Sequence, residues 1–378
     1  VIAAHLNSGA SGICYLFKQT EMRQSIGSST DPANFLLYGL PELQKRGYEV
    51  STTGLERTGY SQRGLAWVWR KLSRQLDGLS GDYGQTYGQR TFLRCHRMLV
   101  ATGNNVGLPL LFLKRVGYKL PPVVFVSVGL NSLFPRLKNR QIRLLSKNLC
   151  RAHRIVVFSA VERANLIRNF RLPESLVVSL PFGIAPDYLP PFTPYPRRQI
   201  HADILSVGAD PQRELAYLID WARQNPARSV EFIVGQEIAA TLPKLTDNVR
   251  LEVNLPLGEV FQRMKQAGHA VIPVRQNDYT GGTTFLIHAV GSGLPTLVAK
   301  TDAIKDIYHL EEGKGCLTYE PGNRNHFFSQ MKRLLTMPPE EKNRMGKEGR
   351  NWVENHLNGS AMVDLIEKEY QQLCGKIV

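Results

Sequence analysis

The chain of 378 residues lacks a long apolar run. Stretches such as "VIAAHL", "LPLLFL" and "PPVVFVSVGL" stop well short of the roughly 18 to 20 residues a helix needs to cross a bilayer, so no segment suits a spanning helix. Cysteine is also scarce: five residues, at 14, 95, 150, 316 and 374, odd in number and without metal-ligand spacing. That pattern argues against a disulfide framework or a structural zinc site and suits free thiols in a reducing compartment. A cytoplasmic location is the expectation, and no motif asks for a metal or another cofactor. Low-complexity tracts and short repeats are missing too, apart from a Gly-Tyr-Gln-rich stretch at 80–90 that reads as a loop.

What the chain has in quantity is basic charge in one half. Residues 1–190 hold 25 Lys and Arg against 10 Asp and Glu, while 191–378 hold 22 against 22, so the whole formal net charge of +15 lies in the first half. Such asymmetry concerns partners rather than fold. The first half should attract something anionic. Two stretches give the charge a shape: "GLAWVWRKLSRQL" (64–76) sets Trp67 and Trp69 among Arg70, Lys71 and Arg74, and 136–154 places Arg, Lys and Leu or Ile at helical spacing. Basic amphipathic helices with interfacial tryptophans lie on anionic membranes; an ordinary helix with a solvated charged face carries the same pattern. No nucleic-acid module accompanies the charge, so nucleic acid is the weaker partner.

Hydrophobic residues make up 43% of the chain, and a single core rarely grows beyond roughly 250 residues, so two domains are expected. Short continuous apolar runs, the mark of parallel strands covered on both faces, predict strands at 1–6, 48–53, 97–102, 123–128, 154–159 and 176–181, and again at 203–208, 230–235, 249–254, 269–274, 295–300 and 316–320. Helical patterns alternate with most of them. The fold class is therefore α/β, with two Rossmann-like domains covering 1–190 and 191–378. Between them the proline-rich 181–198 reads as an extended surface hinge, and the helical tail beyond 338 is placed to pack back on the first domain.

In open parallel sheets, ligands collect beyond the carboxyl ends of the strands, where helix N-termini offer free N–H groups to an anion. "TGGTTFLIHAVGSGLP" (280–295) sits at such a place. Gly281 and Gly282 let a backbone approach a ligand, and Thr283 and Thr284 put hydroxyls in the first helical turn; the turn suits diphosphate, or is a plain turn with capping threonines. His288, one helical turn past Thr284, faces a ribose or sugar hydroxyl, or packs against the neighbouring strand. In "SVGADPQREL" (206–215), Gly208 permits a sharp exit from a strand and Asp210 can cap the next helix. Arg213, in the first turn of that helix, is either a phosphate fork or a solvated arginine. In the first domain, Gly9, Ser11 and Gly12 form a glycine loop after the first strand, suited to an acceptor. Its spacing is not that of a dinucleotide fingerprint.

From about 150 to 370 the chain resembles the GT-B glycosyltransferases of family 4, which are retaining and use nucleotide sugars. The likeness is carried by the order and spacing of "AHRIVVFSAVERANLIRNFRLPESLVVSLPFGIAPDYLPP", "ILSVGADPQRELAYLIDWA", "GGTTFLIHAVGSGLPTLVA", "GCLTYEPGNRNHFFSQMKRLL" and "MGKEGRNWVENHL"; the first domain matches only in outline. The resemblance implies a nucleotide-sugar donor held by the second domain, a lipid or carbohydrate acceptor by the first, and transfer in the cleft. It also implies that Arg213 binds diphosphate, that Gly281 to Thr284 form the phosphate loop, and that the backbone near Asn254 and Leu255 forms the base pocket. Family members commonly carry two glutamates eight positions apart; the same register here gives Thr280 and His288. With the leaving phosphate able to take the acceptor's proton, no enzyme base is implied. An inverting reaction would need one, with Glu21, Asp31, Asp82 and His96 as candidates. The rival reading is a degenerate transferase that only binds a nucleotide sugar.

Overall fold

The computed structural model describes residues 12–18, 32–54, 81, 83–196, 200–309 and 315–374. The expected strand at 1–6, the basic stretch 64–76, Gly9, Ser11, Glu21, Asp31 and Asp82 lie outside them.

Twelve strands are described: β1 (Ile13–Phe17), β2 (Val50–Gly54), β3 (Met98–Ala101), β4 (Val123–Val126), β5 (Arg154–Val157), β6 (Val177–Ser179), β7 (Ala202–Gly208), β8 (Val230–Val234), β9 (Val249–Val253), β10 (Ala267–Ile272), β11 (Thr296–Ala299) and β12 (Leu317–Tyr319). Helices α1 (Leu40–Lys45), α2 (Tyr83–Gly88), α3 (Arg90–Arg94), α4 (Asn104–Arg115), α5 (Asn139–Leu149) and α6 (Ala160–Phe170) accompany the first six strands. Helices α7 (Leu215–Gln224), α8 (Gln236–Ala239), α9 (Leu257–Lys265), α10 (Thr283–Gly291), α11 (Asp302–Tyr308), α12 (Arg324–Thr336) and α13 (Pro339–His356) accompany the rest, and α14 (Ser360–Cys374) ends the described chain.

The strands form two six-stranded sheets, ordered β2-β1-β3-β4-β5-β6 and β12-β11-β10-β7-β8-β9, and every pairing is parallel. Each sheet reverses its direction of growth once. In the first the reversal lies between β1 and β3; in the second the chain builds outward from β7 to β9 and then returns to lay β10 on the other side of β7. A crevice at the carboxyl ends of the strands opens at such a reversal.

The continuous apolar runs are explained by burial: every residue of β1, β3, β4, β10 and β11 is buried. Two compact units result, one comprising 1–29, 34–180 and 360–378, the other 30–33 and 181–359. Within the first unit, α14 is tied down by charge. Glu369, 2% exposed, accepts from Arg154 Nε at 2.9 Å and lies 2.7 Å from His153 Nε2, while Tyr48 Oη donates to Glu367 at 2.7 Å.

Three expectations are corrected. The segment after Leu180 is no free surface hinge: Ile184 and Tyr188 are buried, Ile184 N–H donates to Leu357 O at 2.7 Å, and Asn343 clamps both backbone groups of Tyr195, at 2.7 and 2.6 Å. Prolines keep the segment out of a sheet, but its apolar side chains still seek burial. Within the stretch 80–90, the described residues 83–88 form α2 and Arg90 opens α3, with Tyr83 packed edge-on to Phe112. Gly12 does not follow the first described strand but precedes it, with Ile13 to Phe17 forming β1. It therefore stands at the amino end of the sheet, against the backbone of Glu49, away from where acceptors collect.

Candidate functional site

The reversal between β7 and β10 gathers the residues that carry chemistry. At the end of β7, Gly208 lies directly under the guanidinium of Arg213, and a methyl group there would collide with it. Only glycine fits. The chain then turns through Asp210, whose Oδ1 accepts from Gln212 N–H at 2.7 Å, an Asx turn rather than a helix cap. Arg213 is therefore not in the first turn of α7, which starts at Leu215. It sits in the turn itself, bridged in backbone pairing to Val274 beyond β10.

That bridge pulls the side chain inward. Arg213 is 7% exposed, which removes the reading as a solvated arginine. Its Nη2 donates to Val207 O, whereas Nε and Nη1 are buried with no hydrogen-bond partner. Burial lowers its pKa to about 10, partly offset by the Asp210 carboxylate, so the group stays cationic at neutral pH. Buried charged donors without partners are costly. A site that keeps them is organised for an anion.

From the other side comes the Gly-Gly-Thr-Thr turn. Tyr279 Oη lies 2.7 and 2.8 Å from the two carboxylate oxygens of Asp210, so the loop after β10 is latched to the loop after β7. Gly282, at φ +84°, is the N-cap of α10 and offers no side chain to it. Left-handed backbone favours glycine there, and the lack of a capping side chain leaves first-turn N–H groups for a ligand. A Cβ on Gly282 would lie 3.6 Å from Arg213 Nη1, which sets the helix start beside the guanidinium. Thr283 is less available, since its hydroxyl donates to Thr280 O at 2.8 Å. Thr280 and Thr284 are half-buried in the same turn.

The other expected residues fall elsewhere. His288 is 2% exposed and stands edge-on to Phe261 of α9 with ring centroids 4.7 Å apart; burial lowers its pKa to about 3. It is a neutral core imidazole between α10 and α9. Asn254 and Leu255 follow β9, the sheet edge, two strands from β7; Asn254, at φ +54°, is exposed and continues the pairing with β8 through Val234 O at 3.0 Å. His96 is bonded to Ser51 Oγ at 2.8 Å just before β3, the amino end of its sheet, which sets it apart from the carboxyl-end crevice where a base would act. Tyr279 was not singled out in the sequence. Its only signal is an aromatic residue two positions before a Gly-Gly pair.

No family model matches the chain, and no curated protein sequence matches it. Solved structures do resemble it in fold. A sucrose-phosphate synthase from Thermosynechococcus elongatus superposes with a TM-score of 0.68 at 15% identity, over 96% of this chain and 98% of that one. HepE from Anabaena, in complex with UDP and glucose, gives 0.67 at 11% identity, over 97% and 100%. An α,α-trehalose 6-phosphate synthase from Burkholderia multivorans gives 0.63 at 12% identity, over 97% and 99%. With two parallel six-stranded sheets, each clad in helices, the protein has the GT-B fold.

Proposed function

We propose that the protein is a glycosyltransferase that moves a sugar from a nucleotide-diphosphate sugar to a hydroxyl acceptor, with retention of configuration, in the manner of family 4. One observation carries the reading: a buried guanidinium, lacking partners for two of its nitrogens, lies beside an uncapped helix start at the reversal point of the second sheet. A diphosphate supplies what both lack. Breaking the glycosidic bond builds negative charge on the departing nucleoside diphosphate, and Arg213 with the N–H groups of Gly282 and Thr284 would stabilise that charge where it grows; the N–H of Thr283 already donates to Thr280 O. Gly208 serves by leaving room for Arg213, and Asp210 with Tyr279 by holding the two loops in register. The structural neighbours, a sucrose-phosphate synthase and a UDP complex among them, support a nucleotide-sugar donor.

Asn254 and Leu255 would meet the base. His288 would act through packing, by seating α10 on α9, and the ribose hydroxyls would be met by other groups. No enzyme base is assigned, because the leaving phosphate can take the acceptor's proton. The acceptor is proposed to be a lipid or lipid-linked glycan, with the protein cytoplasmic and peripheral on an anionic membrane. The exposed basic residues of α5 and its flanks, Arg136, Lys138, Arg140, Arg143, Lys147 and Arg151, support that, and no described helix is long and apolar enough to cross a membrane. Flotation should occur with anionic vesicles and fail with neutral ones; failure with both removes the membrane.

A second reading, a nucleotide-sugar-binding protein without turnover, is favoured by Thr280 and the buried His288 where the family commonly carries glutamates. A thermal-shift panel of nucleoside diphosphates and nucleotide sugars tests the donor site, since a ligand that binds the folded form raises its melting point. At least one should stabilise the wild type and not Arg213→Ala. No response across the panel sinks the donor site, and a response without transfer to any acceptor supports the binder.

A further inference from the structure

A second cavity, of about 280 Å³, opens at the other side of the same sheet, where β11 meets the edge strand β12. Val298 pairs in register with Thr318, and because side chains alternate along a strand, Val298, Lys300, Cys316 and Thr318 share one sheet face. Helix α11 brings Ile304 and Lys305 to the cavity, and His309 joins them from its C-cap. The lining divides by chemistry. Val298, Ile304 and Cys316 are 0, 3 and 0% exposed and form an apolar floor, whereas Lys300, Lys305 and His309 are exposed and form a nitrogen-bearing rim.

Among the described residues the rim is uncompensated: neither lysine nor His309 has an ion-pair or hydrogen-bonding side-chain partner. The carboxylate closest in sequence to Lys300, that of Asp302, accepts from Gln276 Nε2. Solvated lysines alone would mean little. Two lysines and an imidazole gathered over one apolar floor are different, because an oxyanion placed there meets several donors while its body displaces water from apolar side chains.

We propose that this cavity binds a small organic phosphate, its phosphate on Lys300, Lys305 and His309 and its apolar body on Val298, Ile304 and Cys316. The volume is near the lower end of small-molecule sites, about 300 to 1,000 Å³, and suits a single ring. This site uses none of the residues of the β7–β10 crevice and does not rest on the donor reading.

Calorimetry with phenyl phosphate, inorganic phosphate and phenol tests it. Phenyl phosphate should bind at least tenfold more tightly than either fragment, because only it uses rim and floor together. The double variant Lys300→Gln, Lys305→Gln changes two exposed side chains and should fold normally, as circular dichroism will check; its Kd for phenyl phosphate should rise at least tenfold. Arg213→Ala should leave that Kd unchanged. No binding by the wild type overturns the proposal, as does an unaltered Kd in the double variant. So does inorganic phosphate binding as well as phenyl phosphate, which would reduce the site to surface charge. Loss of binding in Arg213→Ala also overturns it, since the probe would then be occupying the other crevice.

Discussion

The two sheets share a topological feature and use it differently. Where the first sheet reverses, between β1 and β3, the side chains of Thr102, Asn104 and Ser127 are paired. Thr102 Oγ1 donates to Leu16 O at 2.8 Å, Asn104 Nδ2 donates to Val128 O at 3.0 Å, and Ser127 Oγ reaches Asn104 Oδ1 at 3.4 Å. At the reversal of the second sheet, Arg213 Nε and Nη1 are buried without partners; the helices beside both reversals start at a glycine without a side-chain cap, so the difference lies in the guanidinium. Among the described residues, one reversal has its polar side chains paired, whereas the other keeps two nitrogens of a buried guanidinium unpaired. Topology alone does not make a site, and what distinguishes the two is unmet hydrogen-bonding capacity.

The strongest way to break this contrast is Arg213→Ala. If the unpartnered nitrogens serve a diphosphate, losing two charge-assisted hydrogen bonds, about 1.5 kcal/mol or more each, should weaken nucleotide binding about a hundredfold, measured by calorimetry. The free protein should lose little or gain stability, because a buried charge goes with it. A large loss of stability without loss of binding would make Arg213 a structural residue like Thr102.

Acid offers an intermediate effect. His288 has its pKa lowered to about 3 by burial, against roughly 6.5 in an unfolded chain, so the folded state excludes a proton that the unfolded state accepts. Its contribution is fully present above pH 6.5 and is lost as the pH falls toward 3, at a slope of about 1.4 kcal/mol per pH unit. Burial lowers His269 as well, to about 4, which adds to the slope in the same sense. Urea melts between pH 7 and 4 should be shallower in pH dependence for His288→Leu than for the wild type. An unchanged slope would mean that the imidazole is hydrated, and would restore it as a ligand of the crevice.

The smallest effect belongs to the first reversal. Thr102→Val removes one buried hydroxyl bond and should cost about 1 kcal/mol, with nucleotide affinity unchanged. If binding weakens as well, the two reversals are not independent.

Much of the fold was legible because parallel strands covered on both faces must be continuously apolar. Eleven of the twelve strands fall on the expected segments, most of them such runs; the edge strands β2, on "YEVSTT", and β9, on "VRLEVN", are mixed in polarity. The exception, β1, is equally apolar, but its run "ICYLF" stands beside the glycines at 9 and 12, which drew it into a loop. Of the candidate site, the Gly-Gly-Thr-Thr turn was readable because glycine pairs and hydroxyls before an apolar helix announce a backbone that must bend and a helix that must start. Arg213 was readable as a cation near that turn, but not as buried, and Tyr279 was not readable at all.

The sequence by itself determined the repeated strand-and-helix plan, the charge divide at the middle of the chain, and the places where glycine lets the backbone turn, because these are properties of neighbours along the chain. Only tertiary structure decided that Arg213 is drawn under the loop after β10 by its bridge to Val274, that Tyr279 latches to Asp210 sixty-nine positions away, and that His288 turns into the core. Burial and pairing depend on which strands lie side by side, and in the second sheet the chain sets β10 against β7 only after passing through β8 and β9.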